Sequence, residues 1–225
     1  MGVVPFKVNE IFFSIQGEGS RAGRPCLFIR LTGCPLRCTY CDTAYAFVEG
    51  QKRDLDEILA EVQRRIGAPR LGPNAPFVEL TGGEPLAHPE APRLLRALVD
   101  LGYEVALETA GSHDISVVPP QVVKIVDRKT PGSGEVEHWL EGNLAHLIPG
   151  QDELKFVLTD AADYAWAKAW CEARQLFNHL DILFSPVWGK LDARWLAEEI
   201  IADQLPVRFQ LQLHKLVWDP NQRGV

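Results

Sequence analysis

Short apolar runs rich in β-branched and aromatic residues alternate with stretches of helical period from about Cys26 onward. This is the pattern of repeated strand and helix units. Strands are predicted over residues 26–31, 77–80, 103–107, 122–126, 153–158, 181–184 and 207–211, with an earlier one over 10–15. Between them, Leu55, Ile58, Leu59, Val62 and Ile66 recur at helical spacing behind Asp54, a residue type suited to an N-cap. Residues 92–101, ended by Gly102, predict a second helix, and 160–177 and 192–205 predict two more, each opened by an aspartate. A fifth, over 136–147, is interrupted by Gly142. Seven parallel strands with four or five helices are too few for a complete eightfold barrel and too regular for a sandwich or a bundle. The expectation is an α/β fold, an incomplete, open TIM-like barrel with parallel strands.

Ligands of parallel α/β sheets bind at the carboxyl ends of the strands. The polar, glycine-bearing segments fall at those ends: Thr32-Gly33-Cys34, Thr81-Gly82-Gly83-Glu84-Pro85, Glu108-Thr109-Ala110-Gly111, residues 127–134, Ser185-Pro186 and Gln212-Leu213-His214-Lys215. One rim is expected to collect them all.

With 225 residues, 46% hydrophobic and 24% charged, the chain is long enough to bury a full core, and one domain over residues 1–225 is the expectation. Its 18 Gly and 16 Pro are scattered, which argues against disorder and long linkers, and residues 70–76 read as a loop before a strand. A formal charge of -7 makes nucleic acid a poor partner. No apolar run approaches the ~18 residues of a bilayer span, and Met1-Gly2-Val3-Val4-Pro5 shows no basic segment leading into an apolar one, so no membrane partner and a cytoplasmic location are expected.

Three of the five cysteines lie within eight residues, Cys34-Pro35-Leu36-Arg37-Cys38-Thr39-Tyr40-Cys41, directly after a predicted strand. A disulfide framework fits neither the odd count nor the chain length. Three thiolates leave a 4Fe-4S cluster with one open iron, able to chelate a small molecule. A structural zinc site would need a fourth ligand such as His88 or His113, and a buried stripe of plain thiols is at odds with Pro35, Arg37 and Thr39. Cys26, in a strand, and Cys171, beside Trp170, read as small hydrophobes.

The C-x3-C-x2-C loop with an aromatic before its last cysteine, followed by Gly-Gly-Glu-Pro after the next strand, resembles the radical S-adenosylmethionine superfamily. The resemblance implies that Cys34, Cys38 and Cys41 hold a 4Fe-4S cluster. The amino and carboxylate groups of S-adenosylmethionine would then bind the open iron, and the reduced cluster would cleave it to methionine and a 5'-deoxyadenosyl radical. It further implies S-adenosylmethionine contacts from Gly82, Gly83 and Glu84 at the methionyl amine and from Tyr40, Cys41 and Asp42 at the adenine. Asp127-Arg128-Lys129 and Ser185-Pro186-Val187-Trp188 resemble further contact segments, with Glu108 and Thr109 as weaker candidates near the ribose.

Ile15-Gln16-Gly17-Glu18 ahead of the cysteines, Arg30 on the intervening strand, the continuation Cys41-Asp42-Thr43, and Gln212-Leu213-His214-Lys215 are together similar to the 7-carboxy-7-deazaguanine synthase family, a likeness that runs from residue 10 onward. That resemblance implies a 6-carboxy-5,6,7,8-tetrahydropterin substrate, ring contraction with loss of ammonia, and a 7-deazapurine product such as a queuosine precursor. Ile15, Gln16, Gly17 and Glu18 would meet the pterin, Arg30 its carboxylate, Thr81 and His214 would complete the site, and Thr43 would ligate Mg2+. A homodimer and an electron donor such as flavodoxin follow from the resemblance alone. No side-chain acid or base is identified by the sequence. The nearest rival is an activating enzyme for a glycyl-radical protein; a zinc-binding or electron-transfer module is the reading from another class.

Overall fold

The computed structural model describes residues 4–70 and 72–225; Met1, Gly2, Val3 and Leu71, on which part of the readings of the chain start and of the 70–76 loop fall, lie outside them. The strands β1 (Phe6–Ile15), β2 (Pro25–Leu31), β3 (Gln51–Arg53), β4 (Phe77–Gly82), β5 (Val105–Thr109), β6 (Val123–Asp127), β7 (Glu153–Leu158), β8 (Asp181–Pro186) and β9 (Arg208–Phe209) form one sheet in the order β3-β1-β2-β4-β5-β6-β7-β8-β9. From β2 through β9 every neighbouring pair is parallel, while β1 and β3 run antiparallel at one edge. Seven parallel strands therefore stand in an unclosed sheet, as expected for a partial barrel.

The helices α1 (Leu55–Ile66), α2 (Ala91–Asp100), α3 (Ala161–Ala173), α4 (Ala193–Ala202) and α5 (Leu213–Val217) cover the sheet or follow its last strand. Asp54 caps α1 in a full capping box with Glu57, and Asp160 and Asp192 cap α3 and α4 through the backbone nitrogens of Asp163 and of Arg194 and Trp195. Helix α3 stops short of the predicted 177 because Gln175 turns left-handed, with φ 56°. The helix expected over 136–147 is a correction: that stretch forms 3-10 turns at Val136–His138 and Glu141–His146. Asn143 supplies the reason. Its side chain accepts from Ile115 N at 3.2 Å and donates to the carbonyls of Gly111 and His113 at 2.9 Å, so the segment is tied sideways to the loop after β5. Strand β9 is likewise shorter than the expected 207–211.

Strand alternation sorts the core into two layers. Leu27, Ile29, Leu31, Val78, Leu80, Val105, Leu107, Val126, Leu154, Phe156 and Leu158 face the helices and share one cluster with Ile58, Val62, Leu94, Leu98, Ala167 and Leu196. On the other face Phe12, Cys26, Phe28, Phe77, Ala106, Val123 and Ile125 form a smaller cluster inside the half-barrel. Further along those strands the same face carries Arg30, Glu79, Thr81, Glu108, Asp127 and Lys155; Arg30 is registered against Thr81 and Asp127 against Lys155. An apolar floor thus gives way to a charged layer at the carboxyl ends. No helix among the described residues is long and apolar enough to cross a membrane.

Candidate active site

A cavity of about 500 Å³ opens above that charged layer. Its wall includes Cys34, Cys38 and Cys41, from the loop that leaves β2 through Gly33, whose φ of 109° suits only glycine. The loop is held from both sides. Thr39 N and Oγ1 donate to the carbonyls of Ser133 and Gly132 at 2.9 and 2.8 Å, and Arg37 N donates to Glu135 Oε1 at 2.6 Å. Opposite, Glu84 N donates to Gly33 O at 2.8 Å. A Cβ on Gly82 would lie 2.6 Å from Leu31 O, and one on Gly83 would lie 2.6 Å from Cys34 Cβ. Gly82 is thus required by the close approach of β4 to β2, and Gly83 by that of the following turn to the cysteine loop.

All three thiols are free and partly exposed. Burial pushes the Cys34 thiol up and that of Cys38 to about 11, so a metal must displace protons to bind there. No three His, Cys, Asp or Glu side chains among the described residues converge on a single ion. Three soft, partly exposed donors from one short loop on one wall are the donor set of a cluster coordinated by three cysteines.

Several residues expected at S-adenosylmethionine line this cavity: Tyr40, Cys41, Asp42, Gly82, Gly83, Asp127, Lys129, Val187 and Trp188. Lys129 Nζ stands 5.6 Å from the Tyr40 ring centre and donates to Asp127 Oδ2 at 2.8 Å. Burial opposes charge on Lys129, but Asp127 beside it, with Tyr40 and Cys38, outweighs that and raises its pKa. Four others are absent from the wall. Glu84 turns inward, its oxygens accepting from Leu86 N at 3.0 Å, Thr109 Oγ1 at 2.8 Å and Ala110 N at 2.8 Å, so it ties the loop after β4 to that after β5. Arg128 points away into a box of Trp139, Trp166 and Trp170, 4.9 to 5.3 Å from each ring centre. Ser185 and Pro186 close β8 as buried strand residues.

The residues expected at the substrate also converge: Ile15, Gln16, Gly17, Glu18, Arg30, Thr81 and His214, with Thr43 nearby, all line the cavity. They do not all come from one rim. Because Ile15 pairs antiparallel with Pro25, the loop 16–24 joins β1 to β2 at the amino ends of the parallel strands. It crosses the lower side of the half-barrel, with Ser20 N donating to Glu153 Oε1 at 3.1 Å and Arg21 Nε to Glu104 Oε1 at 2.9 Å. From there Glu18 reaches Lys155 Nζ at 2.8 Å. Leu213 N donates to Gly17 O at 3.0 Å, which sets His214 over Gly17, where a Cβ would strike its ring. Arg30 Nε donates to Glu10 Oε1 at 2.8 Å, and its two terminal nitrogens meet no protein acceptor among the described residues. Cys41 Sγ and Thr43 Oγ1 are 3.8 Å apart.

The sequence reading missed Lys155 and Glu79, and gave Gln212 and Lys215 of its last rim segment no role of their own; all four share the wall. Lys155 and Glu79 sit at inward positions of strands that read as plain apolar runs; a charge on the inward period of a buried strand was the available signal. Glu79 accepts from Gln16 Nε2, and burial together with Glu108 pushes its carboxyl well above the usual range. For Glu18 burial works in the same direction, yet Lys155 and the bond from Gln212 hold it at about 2. Burial pushes the His214 imidazole below its ordinary pKa.

Residues 28–128 match the model of the Radical SAM superfamily. The chain is 46% identical to a 7-carboxy-7-deazaguanine synthase of Chlorobaculum tepidum over 98% of both chains, and 42% identical to one of Koribacter versatilis over 97% of this chain and 100% of the relative. The crystal structure of QueE from Escherichia coli shares the fold at a TM-score of 0.74 and 24% identity, over 92% of this chain and 94% of that one. With near full-length identity at this level and the cysteine loop inside the matched segment, the chain belongs to the 7-carboxy-7-deazaguanine synthase family of the radical S-adenosylmethionine superfamily.

Proposed function

We propose that this enzyme converts 6-carboxy-5,6,7,8-tetrahydropterin to 7-carboxy-7-deazaguanine with loss of ammonia, a step of 7-deazapurine and queuosine biosynthesis. The observation that carries the reading is that the three thiols of one loop and the polar set Gln16, Glu18, Arg30, Thr81 and His214 line one cavity. Cys34, Cys38 and Cys41 would hold the 4Fe-4S cluster, which with S-adenosylmethionine supplies hydrogen-abstracting radical chemistry when bound. Tyr40, Asp42, Gly82, Gly83, Asp127, Lys129, Val187 and Trp188 form the surface offered to S-adenosylmethionine. Glu84 and Arg128 hold that surface from behind.

The chain's own residues bind, orient and exclude water. Arg30, with two nitrogens unspent, suits the substrate carboxylate, and the ionised Glu18 suits N–H donors of the 2-amino-4-oxo ring. Thr43 is proposed as a magnesium ligand that orients the substrate carboxylate. Flavodoxin is the proposed electron donor. One domain over residues 1–225, a homodimer and a cytoplasmic location complete the reading. The lower side crossed by the loop 16–24 and the segment 210–215 bound to that loop favour a small heterocycle over a polypeptide, which disfavours the glycyl-radical activating enzyme. Anaerobically reconstituted protein given reductant, S-adenosylmethionine, Mg2+ and the carboxy-tetrahydropterin is expected to form 7-carboxy-7-deazaguanine and ammonia. S-adenosylmethionine cleavage without that product would reject the assignment.

A further inference from the structure

Lys155 has no role in the reading above, yet it is the best-connected cation in the cavity. It stands on β7 with its side chain 4% exposed. Its Nζ donates to Glu18 Oε2 at 2.8 Å and to Glu108 Oε1, and lies 3.6 Å from Asp127 Oδ2. The three carboxylates come from three places: the loop below the half-barrel, β5 and β6. Of the ammonium's three protons, two are bonded to Glu18 and Glu108, and Asp127 lies at ion-pair distance only.

The carboxylates keep capacity for a ligand. Glu18 Oε2 also accepts from Gln210 Nε2 at 3.1 Å and Oε1 from Gln212 Nε2 at 2.8 Å, which leaves about one of four acceptor positions. Glu108, 31% exposed, meets no protein donor at its second oxygen among the described residues. Both line the cavity beside Thr81.

We propose that Lys155 is a positioning residue that holds Glu18 and Glu108 as an aligned pair of hydrogen-bond acceptors for the N–H edge of the substrate's 2-amino-4-oxo ring. The identity of that ring rests on the functional reading above; the pairing of the three carboxylates on one lysine does not. Without the ammonium, like charges would face one another in a low-dielectric site, and one carboxylate would take up a proton. A protonated carboxyl presents a donor where the ring also presents donors, so binding would fail electrostatically even with the shape intact. Arg30 also acts on Glu108, but it is bonded to Glu10 and makes no bond to Glu18 among the described residues, so it does not bridge the pair. Lys129 is bound to Asp127, Glu79 adds a further carboxyl from β4 below, and Tyr40 and His214 close the other sides. Burial opposes the charge on Lys155, and Glu108, Glu18 and Asp127 together outweigh it.

The test uses reconstituted wild type, K155M and K155R, with kcat/KM for the carboxy-tetrahydropterin followed from about pH 5.5 to about 8.5, a range clear of ordinary carboxylate titration. S-adenosylmethionine binding without pterin and iron content are measured on the same samples. Wild type is expected to show no carboxylate limb. K155M is expected to raise KM about 100-fold, in line with the loss of one partner of a buried charge pair. Its kcat/KM should climb toward about tenfold per pH unit at the acid end, as one proton must leave. K155R keeps the charge and should keep the wild-type profile, even where its bulk raises KM. Cofactor binding should change less than pterin binding in both variants, since Asp127 keeps its bond from Lys129. A KM for K155M within about threefold of wild type, a flat profile in K155M, or a new acid limb in K155R would each overturn the assignment. If K155M takes up no iron, the profile of K155R decides alone. A wild type that makes no product overturns the functional reading and this assignment with it, whereas an active wild type with an unperturbed K155M overturns only the latter.

Discussion

Lys215 donates a 2.6 Å hydrogen bond to Asp42, the residue directly after Cys41, and so ties the segment beyond the last strand to the cysteine loop. Burial opposes ionisation of Asp42, and the ammonium outweighs it, holding that carboxyl below its usual range. The adjacent His214 lies over Gly17, and Gln212 bonds Glu18. A single short segment therefore joins the wall that carries the thiols to the wall that carries the substrate-facing polar groups.

Cutting that tie should separate the two halves of the site without unfolding the barrel. K215A is expected to raise the pterin KM about threefold, the worth of a partly exposed ion pair, with iron content unchanged. Titrating both ligands into the reconstituted variant measures this. An equal loss of S-adenosylmethionine and pterin affinity in a protein with full iron content would contradict the positional argument.

Gly83 offers a cleaner cut at the cluster. A methyl there would lie 2.6 Å from Cys34 Cβ, so G83A must displace either β4 or the cysteine loop. Expected is a loss of more than about half the iron and sulfide after reconstitution, together with about 1–3 kcal/mol of apoprotein stability. G142A, at a glycine whose Cβ would meet nothing within 4 Å, serves as the control and should match wild type in both measurements.

Much of this was legible in the sequence because it rests on period. The strand over 153–158 and the cap at Asp54 lie where the pattern put them, and the cysteine loop announces itself by spacing. What the chain does not write down is direction. The run at 10–15 alternates in the same way whether its strand lies parallel or antiparallel, so a Gln16–Glu18 loop arriving from the opposite end of the barrel was not foreseeable from the run itself. Glu84 and Arg128 lie in correctly located loops but turn away from the cavity, since a loop position does not state a rotamer. Lys155 and Glu79 carried a signal, a charge at an inward strand position, but what they face became visible only when register brought five strands' inward residues onto one wall.

Glu79 should leave a signature in stability against pH. Burial, and then the charge of Glu108, raise its folded-state pKa well above the unfolded value near 4.5. The folded state therefore keeps a proton that the unfolded chain has released. The stabilisation is complete below the unfolded pKa and is lost as pH rises toward the folded one, at up to about 1.4 kcal/mol per pH unit. E79Q keeps an acceptor for Gln16 Nε2 without the ionisable proton. Its apoprotein is expected to gain stability relative to wild type steadily between about pH 5 and about pH 8 in denaturant titrations. A difference that stays constant across that range would show Glu79 ionised in the folded protein.

Arg128 is expected to act through stability and loop placement instead of through direct contact with a ligand. Its Nη1 donates to the carbonyls of Lys129 and Val136, both at 2.8 Å, so one guanidinium pins the turn that carries Asp127 and Lys129 to the wall. Three tryptophan faces surround it, and although burial lowers its pKa to about 10 it stays charged at neutral pH. R128M fills the box but supplies neither bond, and should cost about 3 kcal/mol in urea unfolding of the apoprotein. R128K should recover less than half of that, because an ammonium on a shorter stem cannot lie flat among three rings while reaching both carbonyls. If Arg128 instead met S-adenosylmethionine, R128M would weaken cofactor binding at unchanged stability, and the unfolding midpoint separates these outcomes before any turnover is measured.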